Sequence, residues 1–364
     1  DSSDPSIYNP IKPANRYYDD NNNGIQDLDE NEVSIEERMS YWYKEPSSKI
    51  MISPRFGASF PFSDQGAIHF SYGHFFQIPR FELLYYNSDF DLSQGTGNVG
   101  IVGNADLDPE KTISYELGFK YQFNSFTTLD ATFYFRDIRD LTGTRTEEIS
   151  IFGGASTYSK YENSDFAFVK GLVLSANYFD FNGLSLNLNY TLQQAKGTAS
   201  DPSQAWSYSQ GGNLAETFMI PLDWDQSHTI SAILSYTKNN YGFSFIGKLG
   251  SGLPYTPASS VNVSTLIQNS ETKPVTSSVD LSSFFNLPLG SYDAQLYFNI
   301  SNVFNRLNNL NVYNDSGVAH NTNYLQDALE QNTGQYVNSI ESWYKNETYY
   351  SNPRRIEIGV KYDF

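Results

Sequence analysis

The feature that most constrains this chain is an alternation of apolar and polar side chains, repeated in about eleven segments of roughly ten residues. The segment Thr112–Phe123 shows it best: Leu117 and Phe119 belong to an unbroken apolar set, and Glu116 and Lys120 to the intervening polar set. Side chains of a β-strand alternate between two faces. Charge on one face and continuous hydrophobicity on the other is typical of a membrane barrel with a hydrated lumen.

The connections between these segments alternate between short and long. The short ones are rich in Asn, Asp, Gly, Pro and Ser, which favour tight turns. Outer-membrane barrels place short turns in the periplasm and long loops outside. We therefore predict an extracellular location for the long loops and a periplasmic carboxy terminus. The predicted strands are about 50–60, 66–77, 112–123, 126–137, 167–179, 183–194, 228–238, 241–251, 276–287, 291–303 and 354–364.

The predicted fold class is all-β, a transmembrane antiparallel β-barrel of which about eleven strands are present. A soluble β-sandwich is the alternative for any single strand, but it gives no reason for every long loop to lie at one end. Single-chain bacterial barrels have even strand numbers, and an open sheet would leave unpaired backbone in lipid. We expect the missing strands to precede Asp1 in a longer polypeptide. Residues 1–49 would form an extracellular segment, and 50–364 the carboxy-terminal part of the barrel.

Composition supports an envelope protein and disfavours other classes. The 28 Tyr and 26 Phe residues suit the aromatic girdles of a barrel. The absence of Cys fits the bacterial envelope, where a free thiol is at risk of oxidation. A formal charge of −18 argues against nucleic acid, whose phosphates would be repelled.

Seven stretches, in order, give the chain a family resemblance. They look like the carboxy-terminal half of a TonB-dependent outer-membrane receptor. They resemble in particular the Oar-like receptors of Bacteroidetes-type bacteria, which carry a carboxypeptidase-regulatory-like domain. The stretches are ISPRFGASFPF (Ile52–Phe62), HFSYGHFFQIPRFE (His69–Glu82), GNADLDPEKTISYELGFKY (Gly103–Tyr121), DQSHTISAILSY (Asp225–Tyr236), SGLPYTP (Ser251–Pro257), FNISNVFNRLNN (Phe298–Asn309) and RRIEIGVKYDF (Arg354–Phe364).

The resemblance implies a 22-stranded barrel of which this chain supplies half. It also implies an amino-terminal plug domain and energy supplied by the inner-membrane TonB complex. The aromatic Phe364 resembles the signal that the barrel-assembly machinery reads. The expected partners are outer-membrane lipid, the rest of the barrel with its plug, and the TonB complex. A surface lipoprotein or a secretion partner is a further candidate.

The sharpest local motif is DDNNNGIQDLDE, which matches the twelve-residue calcium loop of an EF-hand. Gly24 permits the sharp turn, Ile25 offers a carbonyl oxygen and Glu30 closes the coordination shell. The alternative is a solvated acidic loop. We predict a structural Ca²⁺ bound by Asp19, Asn21, Asn23, Ile25, Asp27 and Glu30.

Catalytic chemistry finds little support, and we predict that the chain is not an enzyme. His69, His74, His228 and His320 show no metalloprotease or nucleophile spacing. Asp223 and Asp225 could be paired catalytic carboxylates, but a structural role at the start of a strand is favoured. The loop 304–353 carries aromatic residues among many amides, a set that suits sugar or peptide recognition, with loop packing as the alternative. These residues are Tyr313, Tyr324, Tyr336, Trp343, Tyr344, Tyr349 and Tyr350.

The predicted function is an energised outer-membrane transporter. Its extracellular loops would bind a large ligand, and a plug-gated lumen would pass it. A structural or protein-export channel component is the alternative from another class. A passive porin is disfavoured because the motifs resemble the receptor family.

Overall fold

The structure is a computed structural model that describes residues 18, 27–32, 34, 46–87, 98–144, 148–151, 156–210, 218–258, 268–289, 292–331, 334 and 339–363. Its strands are β1 (Arg55–Ser63), β2 (Gly66–Gln77), β3 (Asn98–Val102), β4 (Glu110–Asn124), β5 (Thr127–Thr144), β6 (Ile149–Ile151), β7 (Ser156–Phe179), β8 (Leu184–Gly197), β9 (Ile220–Pro221), β10 (His228–Lys238), β11 (Tyr241–Gly250), β12 (Pro254–Tyr255), β13 (Glu271–Thr272), β14 (Thr276–Leu289), β15 (Tyr292–Ser301) and β16 (Arg355–Asp363).

Eleven of these strands form one continuous antiparallel path in the order β1-β2-β4-β5-β7-β8-β10-β11-β14-β15-β16. They are the eleven segments that the alternation predicts, and each pairs with its neighbour along the chain. The other strands are short: β3 and β6 pair with β7, β9 pairs with β8, and β12 pairs with β13. The predicted all-β antiparallel sheet is confirmed.

The pairing register separates two faces across the whole sheet, because residues directly opposite in antiparallel strands share a face. We call them the apolar face and the polar face. One apolar row crosses six strands and consists of Leu186, Leu234, Phe245, Leu281, Ile300 and Ile356. The adjacent polar row consists of Ser185, Ser235, Ser244, Ser282, Asn299 and Glu357.

Side chains on the apolar face remain exposed in the isolated sheet. Leu117 is 50% exposed, Phe133 56% and Ile358 68%. A soluble sandwich would bury such residues against a second sheet. The exposed apolar face therefore fits contact with lipid, and the sandwich alternative is wrong.

The connection between β5 and β7 and the start of β1 differ most from the sequence-based boundaries. Strand β5 continues to Thr144, and strand β7 begins already at Ser156. Residues 138–144 and 156–166 are therefore strand rather than loop. Their extensions pair with each other, as in the partners Gly143 and Glu162. Strand β1 starts at Arg55 and not near residue 50. The residue before it is Pro54, which has no N–H to donate to a neighbouring strand.

The short turns all lie at one end of the sheet and the long connections at the other, which we call the long-loop end. The turn between β7 and β8 shows why the short ones are tight. Asp180 Oδ1 accepts hydrogen bonds from the backbone N–H groups of Asn182 (2.9 Å) and Leu184 (3.0 Å). Gly183 has φ +89°, and a Cβ there would lie 1.9 Å from the Thr237 carbonyl oxygen, so only glycine fits.

Strands β1 and β16 stand at the two ends of the strand order. Within the described residues they do not pair with each other, so the sheet does not close on itself as a small barrel. Among the same residues, no helix is long and apolar enough to span a bilayer. The helices are short and lie in the long connections: α1 (Phe81–Tyr85), α2 (Gln204–Gln210), α3 (Asn323–Gln331), α4 (Ile340–Tyr344) and a 3₁₀ turn (Glu347–Tyr349).

Small buried clusters stabilise the long-loop end. Leu83 of α1 packs with Ile101, Leu107 and Tyr161, and Trp206 of α2 packs against them. A second cluster gathers Leu222 with Ala167, Val169 and Ala195 on the polar face. The described parts of these loops therefore pack against the sheet through small apolar clusters.

Candidate ligand site at the long-loop end

Three long connections converge on a cleft of about 330 Å³, which we call the mouth cleft. They are the connections that follow β8, β11 and β15. The cleft is lined mainly by amides, two tyrosines, one carboxylate and one ammonium group. The lining residues are Asp223, Pro254, Tyr255, Asn269, Lys273, Asn311, Val312, Asn314 and Tyr349.

The connection after β11 places its residues in the cleft through the small β12–β13 ladder, in which Tyr255 stands opposite Glu271. Asn269 has a positive φ of 55°, and its side-chain amide donates to the Pro221 carbonyl oxygen at 2.8 Å and to Asp223 Oδ1 at 2.7 Å. Lys273 Nζ donates to the Leu310 carbonyl oxygen at 3.0 Å. These hydrogen bonds link the connection after β11 to the connections after β8 and β15. Burial raises the pKa of the Tyr255 phenol, with Glu271 adding to the shift, so at neutral pH the hydroxyl is protonated and can donate.

The connection after β15 is anchored by asparagines of the FNISNVFNRLNN stretch. Asn302, at φ +54°, donates from its side chain to the carbonyl oxygens of Arg306 and Asn352, both at 3.0 Å. Asn308 bonds both the N–H and the C=O of Ser277, at 2.9 and 2.8 Å, and so continues the edge of β14. This anchoring fixes the position from which residues 311–314 reach the cleft.

The aromatic side of the cleft comes from a packed tyrosine pair. The ring centroids of Tyr313 and Tyr349 are 4.9 Å apart. The Tyr349 carbonyl oxygen accepts from the N–H groups of Leu310 (2.7 Å) and Asn311 (3.2 Å). Backbone bonds thus hold Tyr349 in place, and this residue lines the cleft.

Asp223 and Asp225 have different surroundings. Asp225 is 8% exposed and accepts a hydrogen bond from the Ala195 N–H at 2.9 Å. Burial raises the pKa of Asp225, and the Ala195 bond opposes that shift. Asp223 is exposed and lines the mouth cleft. Asp225 thus holds the connection to β8 while Asp223 faces the cleft, which supports the structural interpretation of the pair.

A second cavity, of about 440 Å³, lies against β10, β11 and β14. Its lining includes polar-face residues Thr229, Ser231, Lys248 and Ser278, together with Leu310. Leu310 lines this second cavity, and the next residue, Asn311, lines the mouth cleft. The long-loop end therefore carries polar residues in the cleft, and the neighbouring polar face carries them in the second cavity.

The aromatic residues predicted in loop 304–353 take different positions. Tyr349 lines the cleft, Tyr313 supports it by packing, and Tyr324 is exposed away from it. Tyr336 and the Trp343 side chain lie outside the described residues. The sequence analysis missed Tyr255, Asn269 and Lys273 as cleft residues. Tyr255 lies in the SGLPYTP stretch, which carries part of the family resemblance. That stretch indicated the family but did not mark Tyr255 as a site residue.

The predicted calcium ligands fall mostly outside the described residues: Asp19, Asn21, Asn23 and Ile25 are not among them. Asp27 and Glu30 are described, and Glu30 Oε2 accepts a hydrogen bond from the Asp27 N–H at 3.0 Å. Glu30 is 9% exposed although it belongs to a polar loop. In the described part of the chain, no three His, Cys, Asp or Glu side chains group as a metal site. Calcium binding stays a prediction.

The four histidines lie apart from one another. On the polar face, the His69 ring covers Gly118, where a Cβ would lie 2.0 Å from His69 Cε1. His74 bonds the Tyr72 hydroxyl at 2.5 Å, and His228 bonds the Tyr190 hydroxyl at 2.8 Å. These neighbours support structural roles for the three strand histidines. The expectation that the chain is not an enzyme stays a prediction.

An antiparallel sheet with one apolar face, one polar face and alternating short and long connections defines the wall of a transmembrane β-barrel. The chain belongs to the TonB-dependent receptor-like β-barrel family, whose family model matches residues 16–314. Proteins of this family are outer-membrane β-barrels. No curated protein matches the sequence.

Solved outer-membrane receptors share the fold. The transporter YddB from Escherichia coli is 13% identical, with a TM-score of 0.56, and the match covers 74% of this chain and 39% of that chain. Pseudomonas aeruginosa FpvA bound to heterologous pyoverdines is 14% identical, with a TM-score of 0.53 over 86% and 33% of the two chains. A mutant of the ferric enterobactin receptor PfeA from Pseudomonas aeruginosa is 16% identical, with a TM-score of 0.50 over 70% and 35%. The chain therefore spans well under half the length of these structures.

Proposed function

We propose that this chain forms the carboxy-terminal half of the barrel of a TonB-dependent transporter of the Oar-like type. The long-loop end faces outside and binds a ligand, and a plug domain gates the lumen. The observation that carries this proposal is that three long connections form a cleft at one end of a sheet whose polar-face residues line a second cavity. Such an arrangement suits capture at the loops followed by release into a hydrated lumen.

Backbone hydrogen bonding supports a half-barrel. Within the described residues, β1 and β16 are each paired on one side only. Each unpaired N–H or C=O in hydrocarbon costs several kcal/mol, so spanning strands need partners on both sides. We therefore expect the remaining strands and the plug to come from the same polypeptide, with the TonB complex as the energy source.

Conductance tests the transporter proposal. The full-length protein in a planar bilayer should hold its lumen closed, and deletion of its plug domain should open a large, water-filled pore. A large conductance before the deletion, or none after it, would argue against a plug-gated lumen. Stable co-purification of a secretion partner with the full-length protein would favour the export alternative instead.

We also propose that Asp19, Asn21, Asn23, Ile25, Asp27 and Glu30 bind a structural Ca²⁺ in an extracellular segment. The sequence supplies all six positions of the calcium loop, with Gly24 at the turn. The hydrogen bond from the Asp27 N–H to Glu30 Oε2 supports the proposal, because it turns this carboxylate back towards the loop. Extracellular sites of this type bind weakly, with Kd of about 10⁻⁴–10⁻³ M.

A further inference from the structure

We infer that the mouth cleft binds a neutral carbohydrate, with Asn311 and Asn314 as its hydrogen-bonding residues and Tyr255 and Tyr349 as its stacking surfaces. This inference rests on the proposed function, because it names the ligand class that the loops would capture. It is carried by the free polar groups of the cleft, its charge balance and its aromatic lining.

The amide groups provide the first argument. Asn311 and Asn314 are exposed in the cleft, and within the described residues their side chains have no hydrogen-bond partner. Only their backbones are engaged: the Asn311 N–H donates to Tyr349, and the Asn314 carbonyl oxygen accepts from the Ala258 N–H at 2.8 Å. Each free amide offers two donor hydrogens and one acceptor oxygen. Adjacent sugar hydroxyls need this combination, since every hydroxyl both donates and accepts.

Charge gives the second argument. One carboxylate, Asp223, and one ammonium group, Lys273, line the cleft, so its formal charge is balanced. Lys273 already donates to the Leu310 carbonyl oxygen, and Asp223 already accepts from Asn269. An anionic ligand would also meet a chain of formal charge −18. The cleft therefore favours an uncharged ligand over an anionic metal chelate.

Aromatic surface and size give the third argument. Tyr255 and Tyr349 both line the cleft, and an aromatic ring packs well against the apolar C–H face of a sugar. The volume of about 330 Å³ lies at the small end of the ligand-pocket range of about 300–1,000 Å³. Such a cleft suits the end of an oligosaccharide rather than a whole bulky ligand.

Calorimetric titration of the full-length protein with a panel of neutral trisaccharides (maltotriose, cellotriose, xylotriose, laminaritriose and chitotriose) tests the inference. Trialanine and ferric citrate represent the other ligand classes. We expect at least one trisaccharide to bind, and Asn311→Ala and Asn314→Ala each to weaken it about tenfold. Both substitutions leave the backbone contacts of these residues intact. Asn321→Ala is the matched control, because Asn321 is exposed on the same connection but does not line the cleft.

Several results would overturn the inference: no trisaccharide binds, only trialanine or ferric citrate binds, or the two cleft variants bind sugar as well as the control. The proposed function fails separately. If the full-length protein binds sugar but already conducts before the plug is deleted, the carbohydrate site is supported and the plug-gated transporter is contradicted. A plug-gated barrel that binds no sugar would support the transporter proposal and contradict the carbohydrate site.

Discussion

Leu188 and Asn189 are adjacent in β8, yet the register places their side chains on opposite faces. Leu188 stands opposite Ala176 and Ala232 on the apolar face. Asn189 stands opposite Ser175 and Ser231 on the polar face, where its Oδ1 accepts from Ser175 Oγ at 2.7 Å. A single step along the chain thus exchanges lipid for the hydrated lumen.

We expect Leu188→Arg to impair barrel assembly, because a cation on the lipid face near the bilayer midplane costs about 2–4 kcal/mol. Asn189→Arg is the matched control: it adds the same charge at the same depth, where water can solvate it. The measurement is the yield of heat-modifiable barrel in outer-membrane fractions. Equal loss in both variants would contradict the assignment of the two faces.

At the scale of elements, the described parts of the long connections are held by hydrogen-bonded anchors and small apolar clusters. The connection after β15 begins with the turn at Asn302, whose N–H donates to Asp280 Oδ1 at 2.7 Å. Near the start of β1, Lys49 pairs with Asp106 at 3.1 Å and Asp108 at 2.7 Å. Hydrogen bonds from Ser47 and Lys49 hold the pKa of Asp106 well below its usual range. This contact attaches the residues before β1 to the connection between β2 and β4.

The proposed calcium loop is the element to test next. We expect calorimetric titration of the chelated full-length protein to show Ca²⁺ binding in the Kd range of about 10⁻⁴–10⁻³ M. Glu30→Gln should weaken binding at least about tenfold, because it removes a bidentate carboxylate. Asn21→Asp should keep or strengthen binding by adding charge.

Glu32→Gln makes the same chemical change two residues outside the pattern and serves as the control. Chelation should make the stretch before residue 50 more sensitive to protease while the barrel strands stay protected. Absence of any calcium-dependent heat at millimolar Ca²⁺ would show that the motif is an acidic loop without a metal.

At the scale of the whole molecule, the decisive question is what pairs with β1 and β16. The 364 residues contain no cysteine, so cysteine pairs introduced among them can report which strands are neighbours. We expect Ser59→Cys in β1 to form no disulfide with cysteine at Glu357, Gly359 or Lys361 in β16 of the full-length protein. The reason is that further strands should separate them.

The positive control for this experiment is the pair Ser235→Cys and Ser244→Cys. These residues stand opposite each other in β10 and β11, with their hydroxyl oxygens 2.8 Å apart. That pair should oxidise readily, since close opposite positions suit disulfide geometry. A disulfide between β1 and β16 would show instead that the eleven strands close on themselves.

The sequence by itself determined the strands, their two faces and the alternation of turns and loops. Each of these depends on neighbouring residues: the period of two in Thr112–Phe123 assigns faces, and Asp180 and Gly183 specify a turn within a few positions. Strand propensity alone did not predict where β5 ends and where β7 begins. Those extensions are stabilised by pairing with each other at the long-loop end of the sheet.

Only the tertiary structure decided which loop residues form a site. Asp223, Tyr255, Asn311 and Tyr349 belong to three connections far apart in sequence, and they meet because the antiparallel path brings its long connections to one end of the sheet. Nothing local distinguishes Asn311, whose side-chain amide has no hydrogen-bond partner among the described residues, from Asn308, whose amide bonds Ser277. The difference between them is set by neighbours contributed from other connections, and spacing along the chain does not encode it.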